Sequence, residues 1–151
     1  MSPLCRDAIQ IAARNGSLDV VKFLVRNGAA TATRGKRGDT LFHIAGGNGH
    51  VSVLRWLADQ GCMHTLLDMH GQSVAHAAAR RGKAGVLRFL REHLHMPLHE
   101  EDFDGLTPIQ HVPKRALQGN ARELEETRSY LLLVRDEEER EREERVGVIG
   151  C

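Results

Sequence analysis

Thr40-Leu41-Phe42-His43-Ile44-Ala45-Gly46-Gly47-Asn48-Gly49 and Ser73-Val74-Ala75-His76-Ala77-Ala78-Ala79-Arg80-Arg81-Gly82 are one ten-residue pattern written twice, 33 residues apart. An earlier copy runs from Asp7 to Gly16, and a later one starts at Thr107-Pro108-Ile109-Gln110-His111-Val112, 34 residues after Ser73. Asp7, Thr40, Ser73 and Thr107 are all residues whose side-chain oxygens accept the orphan N–H groups of a first helical turn. Three residues on stand Gln10, His43, His76 and Gln110. That is the spacing of a capping box, with imidazole replacing the carboxamide twice. Gly16, Gly49 and Gly82 then stop each helix after about two turns.

A second apolar pattern at helical spacing follows each glycine: Leu18, Val20, Val21, Phe23, Leu24 and Val25; Val51, Val53, Leu54, Trp56 and Leu57; Ala84, Val86, Leu87, Phe89 and Leu90. Asn27-Gly28 and Gln60-Gly61 end the first two of these helices, and the polar, Gly-containing segments before Thr40 and Ser73 suit extended turns. One such helix pair cannot bury its own apolar faces, so the units must stack into an all-α repeat, an α-solenoid.

On these motifs the sequence resembles the ankyrin repeat proteins, whose unit is a β-turn plus two antiparallel helices with a Thr-Pro-Leu-His-x-Ala signature. The resemblance covers residue 3 to roughly residue 115. It implies helix-turn-helix units joined by β-turn or hairpin loops, in repeats of about 3–33, 34–66, 67–100 and 101–134. The repeat domain is then 1–134, followed by a charged helical extension and loose tail over 135–151. Two departures qualify the pattern. Leu94 stands where a third helix-ending glycine is expected, so a longer connection is predicted there. Pro113 and Ala116 replace the second Ala and the Gly of the fourth unit, which reads as a modified C-terminal cap. Its second helix is expected around Ala121–Val134, closing the core with Leu124, Tyr130, Leu131 and Val134.

The formal net charge of +1 over 151 residues hides an asymmetry. Residues 1–97 carry 13 Lys+Arg and 6 Asp+Glu, giving +7, and residues 98–151 carry 8 and 14, giving −6. The stretch Arg135–Arg145 has no apolar residue, and Asp136–Arg140, Glu138–Arg142 and Glu141–Arg145 are spaced for ion pairs along a solvated helix. No apolar run approaches the length of a signal peptide or of a membrane span, which leads to the expectation of a cytoplasmic or also nuclear protein. Cys5, Cys62 and Cys151 lie far apart and are expected to be reduced thiols.

Catalysis finds little support. His43 and His76 are assigned to capping, and His93, His95 and His99 lack a Cys or carboxylate at a recognised metal-ligand spacing. Phosphate-loop, nucleophile-elbow and Cys/His signatures are absent. No enzyme, metal or cofactor is expected. Recognition is the stronger reading. In ankyrin proteins partners are held on the concave face of turn tips and first-helix ends, and the resemblance carries that face onto seventeen residues here. They are Arg14 and Asn15 in the first unit, and Arg34, Lys36, Arg37, Asp39 and Asn48 in the second. Met69, His70, Gln72, Arg80 and Arg81 follow in the third, with Phe103, Asp104, Leu106, Lys114 and Arg115 in the fourth. Arg14, Arg80, Arg81, Lys114 and Arg115 precede the helix-ending site and should align into a basic stripe favouring an acidic or extended protein segment. Phe103 and Met69 are expected as exposed anchors at turn tips, and Trp56 as core. The alternatives are nucleic acid on the same stripe, disfavoured because the patch lacks interleaved aromatics and the acidic tail would repel phosphate, or masking of the groove by the acidic segment Glu137–Glu144, from this chain or another copy. The chain by itself is expected to be monomeric.

Overall fold

The computed structural model describes residues 3–115 and 119–149. Eight helices form among them: α1 (Pro3–Asn15), α2 (Leu18–Arg26), α3 (Leu41–Gly47), α4 (Val51–Asp59), α5 (Val74–Arg80), α6 (Ala84–Glu92), α7 (Pro108–His111) and α8 (Ala121–Ile149). The first helices of the units, α1, α3, α5 and α7, pack in series, while α2, α4 and α6 stack behind them. The core runs through the stack, from Ile9 and Val21 through Leu54, Leu57, Leu87 and Leu90 to Leu131 and Val134.

The sequence pattern forms for reasons visible in the backbone. Gly49 has φ +83, and its N–H reaches Gly46 O at 3.2 Å while His50 N–H reaches Ala45 O at 3.0 Å. This paired closure of a helix end through a left-handed residue recurs at Gly16 and Gly82. Only a glycine fits there without strain, and at Gly16 a Cβ would also strike the His50 ring. The turns repeat as well: Gly35 N–H bonds Asp39 O, Asp68 N–H bonds Gln72 O, and Asp102 N–H bonds Leu106 O, at 2.8–3.0 Å. Adjacent turns are laced together by Met69 N–H to Arg37 O and Phe103 N–H to His70 O, both 3.0 Å.

The capping boxes expected at Thr40, Ser73 and Thr107 are all present. Asp7 does not cap: α1 begins at Pro3, a residue suited to a first helical turn, and Asp7 lies inside the helix. After α6 the left-handed position falls on His95, φ +52, one residue beyond Leu94, so the extra residue is absorbed in that turn. In the fourth unit Pro113 holds α7 to a single turn. Leu124, Leu131 and Val134 are buried as expected, with Tyr130 partly so. Thr127 joins them, its hydroxyl satisfied by donating to Glu123 O at 2.8 Å. Trp56 is partly buried against the core.

Three further expectations are corrected. Val20 and Phe23 of α2, read as part of its apolar face, are exposed. The tail is not loose over 146–149, because α8 continues unbroken to Ile149 with no interruption near residue 134. The ion pairs expected at Asp136–Arg140, Glu138–Arg142 and Glu141–Arg145 do not form. Arg135 instead reaches Asp136 and Glu139 along the same helix, while Glu138 is taken by Arg91 and His99 packed against it. Cys62 is a free thiol. Ala116, Cys151 and the thiol of Cys5 lie outside the described residues.

Candidate protein-binding groove

Turn tips and first-helix ends enclose an open groove of about 510 Å³. Arg14, Arg37, Asp39, Asn48, His70, Gln72, Arg80, Arg81 and Asp104 all line it. A second hollow of about 290 Å³ shares Asn48, Arg80 and Arg81 with the first and extends it to Arg115. Four of the five stripe residues therefore lie along one continuous depression, while Lys114 is exposed beside it.

The remaining candidates divide. Arg34 is a tie rather than a contact surface, since its guanidinium donates to Gly38 O at 2.8 Å and Leu67 O at 2.9 Å, bracing one turn against the next. Leu106 uses its carbonyl structurally, accepting from His76 Nε2 at 2.9 Å. Asn15 and Lys36 are exposed away from the groove lining. Met69 and Phe103 are 64% and 75% exposed at the turn tips. Phe103 is nonetheless placed, because its ring lies over Gly71 where a Cβ would collide with it. Sequence reasoning missed Asp68, Lys83 and Glu123 among the lining residues.

The groove is less uniformly basic than the stripe suggested. Asp39, Asp68 and Asp104 sit on its turn-tip wall opposite Arg14, Arg80 and Arg81 on the helix-end wall. Asp68 Oδ1 is occupied by the His70 and Gln72 N–H groups at 2.8 and 2.9 Å. Arg80 is held by donating to Gln72 Oε1, and Arg81 reaches Asn48 Oδ1 at 3.4 Å. Two of the arginines are thus pre-oriented by groove neighbours, which lowers the entropy lost when a partner binds.

Beneath the groove the histidines do more than cap. His43 Nδ1 accepts the Thr40 N–H at 3.2 Å, which places its proton on Nε2, and Nε2 donates to Gln72 O in the next repeat at 2.7 Å. His76 does the same with Ser73 N–H at 3.1 Å and Leu106 O at 2.9 Å. Burial pushes both imidazoles below their ordinary pKa of 6.5, against the opposing pull of those carbonyls. Above pH 6.5 both folded and unfolded states are neutral here; below it the unfolded chain takes up protons the folded one resists. The urea midpoint should therefore fall as the pH drops from 6.5 towards 5. His43→Gln together with His76→Gln should flatten that limb.

Deeper still, Asp102 Oδ1 accepts from Asp104 and Leu106 N–H, and Oδ2 from His111 Nε2 at 2.7 Å and Gln72 Nε2 at 3.3 Å. Desolvation would raise this carboxyl, but those donors together outweigh it and hold it well below the usual carboxylate range. His76, Asp102 and His111 lie close enough to suggest metal ligands. Yet a cation would have to displace the partner of a His76 nitrogen and the donors on Asp102, groups that already form a satisfied polar network. His93, His95 and His99 are not brought together: His93 stacks on Phe89, and His99 bonds Glu138 at 2.7 Å.

The acidic segment does not enter the groove. Glu137 and Glu138 pair with Arg91 and His99, while Glu123 and Glu126 meet Lys83 and Arg88. Among the described residues, no helix is long and apolar enough to cross a membrane.

Comparison with curated proteins finds no match. The family model for ankyrin repeats, in three copies, matches residues 9–102, which include the boxed helices α3 and α5 but stop short of α7. Ankyrin repeats are protein–protein interaction modules, and this chain belongs to the ankyrin repeat family.

Proposed function

We propose that the chain is a non-catalytic binding module that holds an extended, acidic segment of another protein along the groove from Arg37 to Arg115. The observation that carries this reading is the alignment of Arg14, Arg80, Arg81 and Arg115 along an open depression, whose wall α8 joins through Glu123 and Leu124 while Glu137 and Glu138 pair elsewhere with Arg91. A carboxylate-bearing segment complements the helix-end wall, with Arg80 and Arg81 as bidentate donors. Its apolar side chains rest on Met69 and Phe103 at the rim. A nucleic-acid backbone suits the groove less well, because Asp39, Asp68 and Asp104 would face its phosphates and repel them.

The test is affinity capture with wild type and with the Arg80→Glu, Arg81→Glu, Arg115→Glu variant, partners being quantified by mass spectrometry. All three side chains are exposed, so the variant should keep the wild-type circular dichroism. Partners of the groove should be lost from the variant. Identical captured sets would overturn the proposal, as would capture of nucleic acid alone with loss at moderate salt.

A further inference from the structure

The positive charge of the depression is concentrated at one end of it. In the groove itself Arg14, Arg37, Arg80 and Arg81 are set against Asp39, Asp68 and Asp104, four cations against three carboxylates. The adjoining hollow of about 290 Å³ shares Arg80 and Arg81 and adds Lys83 and Arg115, with Glu123 as the one carboxylate among its described lining residues. Four cations there meet one anion. Glu123 stands 3.9 Å from the Lys83 ammonium, and both side chains are partly exposed.

These cations reach the hollow from separate parts of the fold. Arg80 and Arg81 come from the end of α5, Lys83 from the residue before α6, and Arg115 from the segment that follows α7. The two arginines shared with the groove are already directed. Asn48 donates through Nδ2 to Ile44 O at 2.7 Å, which turns its Oδ1 to Arg81, and Gln72, whose Nε2 donates to Asp102 at 3.3 Å, accepts from Arg80. Each guanidinium carries five N–H donors, more than these contacts use.

A carboxylate brings one negative charge and two acceptor oxygens, and so leaves most of this excess unanswered. A phosphoryl group on a side chain brings close to two charges and three acceptor oxygens, which suits converging Arg forks beside an ammonium. Pro113 and Leu124 on the wall of the hollow offer apolar contact to the stem that carries it. We infer that the hollow is a subsite for a phosphorylated side chain, phosphoserine or phosphothreonine, borne by the segment that lies in the groove. The inference rests on the groove reading and adds to it a partner whose affinity rises when it is phosphorylated.

Fluorescence anisotropy with the full chain tests this, using short degenerate acidic peptides in three pools that carry phosphoserine, Glu or Ser at one fixed central position. The phosphoserine pool should bind wild type about tenfold or more tighter than the Glu pool. Lys83→Gln together with Arg115→Gln should remove that preference; if the double variant loses the wild-type circular dichroism, Arg115→Gln alone, at an exposed position, carries the comparison. Binding of no pool, a preference that survives the substitutions, or inorganic phosphate competing as tightly as the phosphoserine pool binds would overturn the inference. Equal binding of the phosphoserine and Glu pools, both above the Ser pool, would remove the subsite and leave the groove reading standing. The groove reading falls separately, on partner capture that the Arg80→Glu, Arg81→Glu, Arg115→Glu variant leaves unchanged.

Discussion

Replacing His76 by Ala should destabilise the fold by about 3–5 kcal/mol, read as a fall in the urea midpoint. The imidazole serves two clients at once in a buried setting: Ser73 N–H, which it caps, and Leu106 O, to which it donates across the repeat boundary. Removing it strands a donor and an acceptor, each costing about 1–3 kcal/mol when left without water or partner. It also leaves a void where one of the largest fully buried side chains had been. His76→Gln separates the contributions. Gln110 completes the capping box of α7 in this same chain, so a carboxamide can serve the first client. It is not placed to serve the second. The Gln variant should recover roughly half of the loss, and recovery of all of it would show that the link to Leu106 contributes nothing.

Asp102→Ala should be of similar size, about 3–5 kcal/mol, but with a different signature. The carboxylate is inaccessible to solvent and accepts four hydrogen bonds, from Asp104, Leu106, Gln72 and His111. Deleting it leaves those donors unpaired beneath the last turn. Asp102→Asn keeps the volume yet turns an NH₂ group towards the Nε2–H of His111 and the amide of Gln72, so it should rescue little. The acid limb distinguishes this residue from the histidines. Its folded pKa lies below the ordinary 3.8, so its stabilisation is complete above that value and is lost as the pH falls beneath it. Both variants should therefore unfold with a shallower pH dependence below pH 4 than wild type does. Protease cutting around residues 112–120 should rise in parallel, since α7 is tied to the stack through His111.

These sites also show how much the sequence discloses. Caps and left-handed glycines are local, so Thr40, Ser73, Thr107 and the triplet Gly16, Gly49, Gly82 could be read directly, and the period then supplied the stack. What a capping histidine does with its other nitrogen is not local: Nε2 of His43 finds a carbonyl 29 residues away, and no single repeat records that. Asp102 is one of four acids within five residues, with Glu100, Glu101 and Asp104, and nothing inside that cluster sets it apart. The signal that could have singled it out is Asp-x-x-Gly at Asp68–Gly71 recurring at Asp102–Gly105, one period on. Phe23 failed for a related reason. Helical periodicity identifies an apolar face, but only the neighbour on that face decides whether it is buried. In the groove, the cap-to-glycine alignment brought Arg14, Arg80, Arg81 and Arg115 to one depression, while Arg34 was lost to a bracing role that depends on a carbonyl in the next turn.

The arginine-lined groove is the proposed surface for a partner. The decisive measurement is the affinity of a captured partner for wild type and for the Arg80→Glu, Arg81→Glu, Arg115→Glu variant, taken at two ionic strengths. The variant should lose at least tenfold in affinity, equivalent to about 1.4 kcal/mol, and show a weaker dependence on salt. Equal affinities at both ionic strengths, with both proteins folded, would contradict the proposed role of the groove.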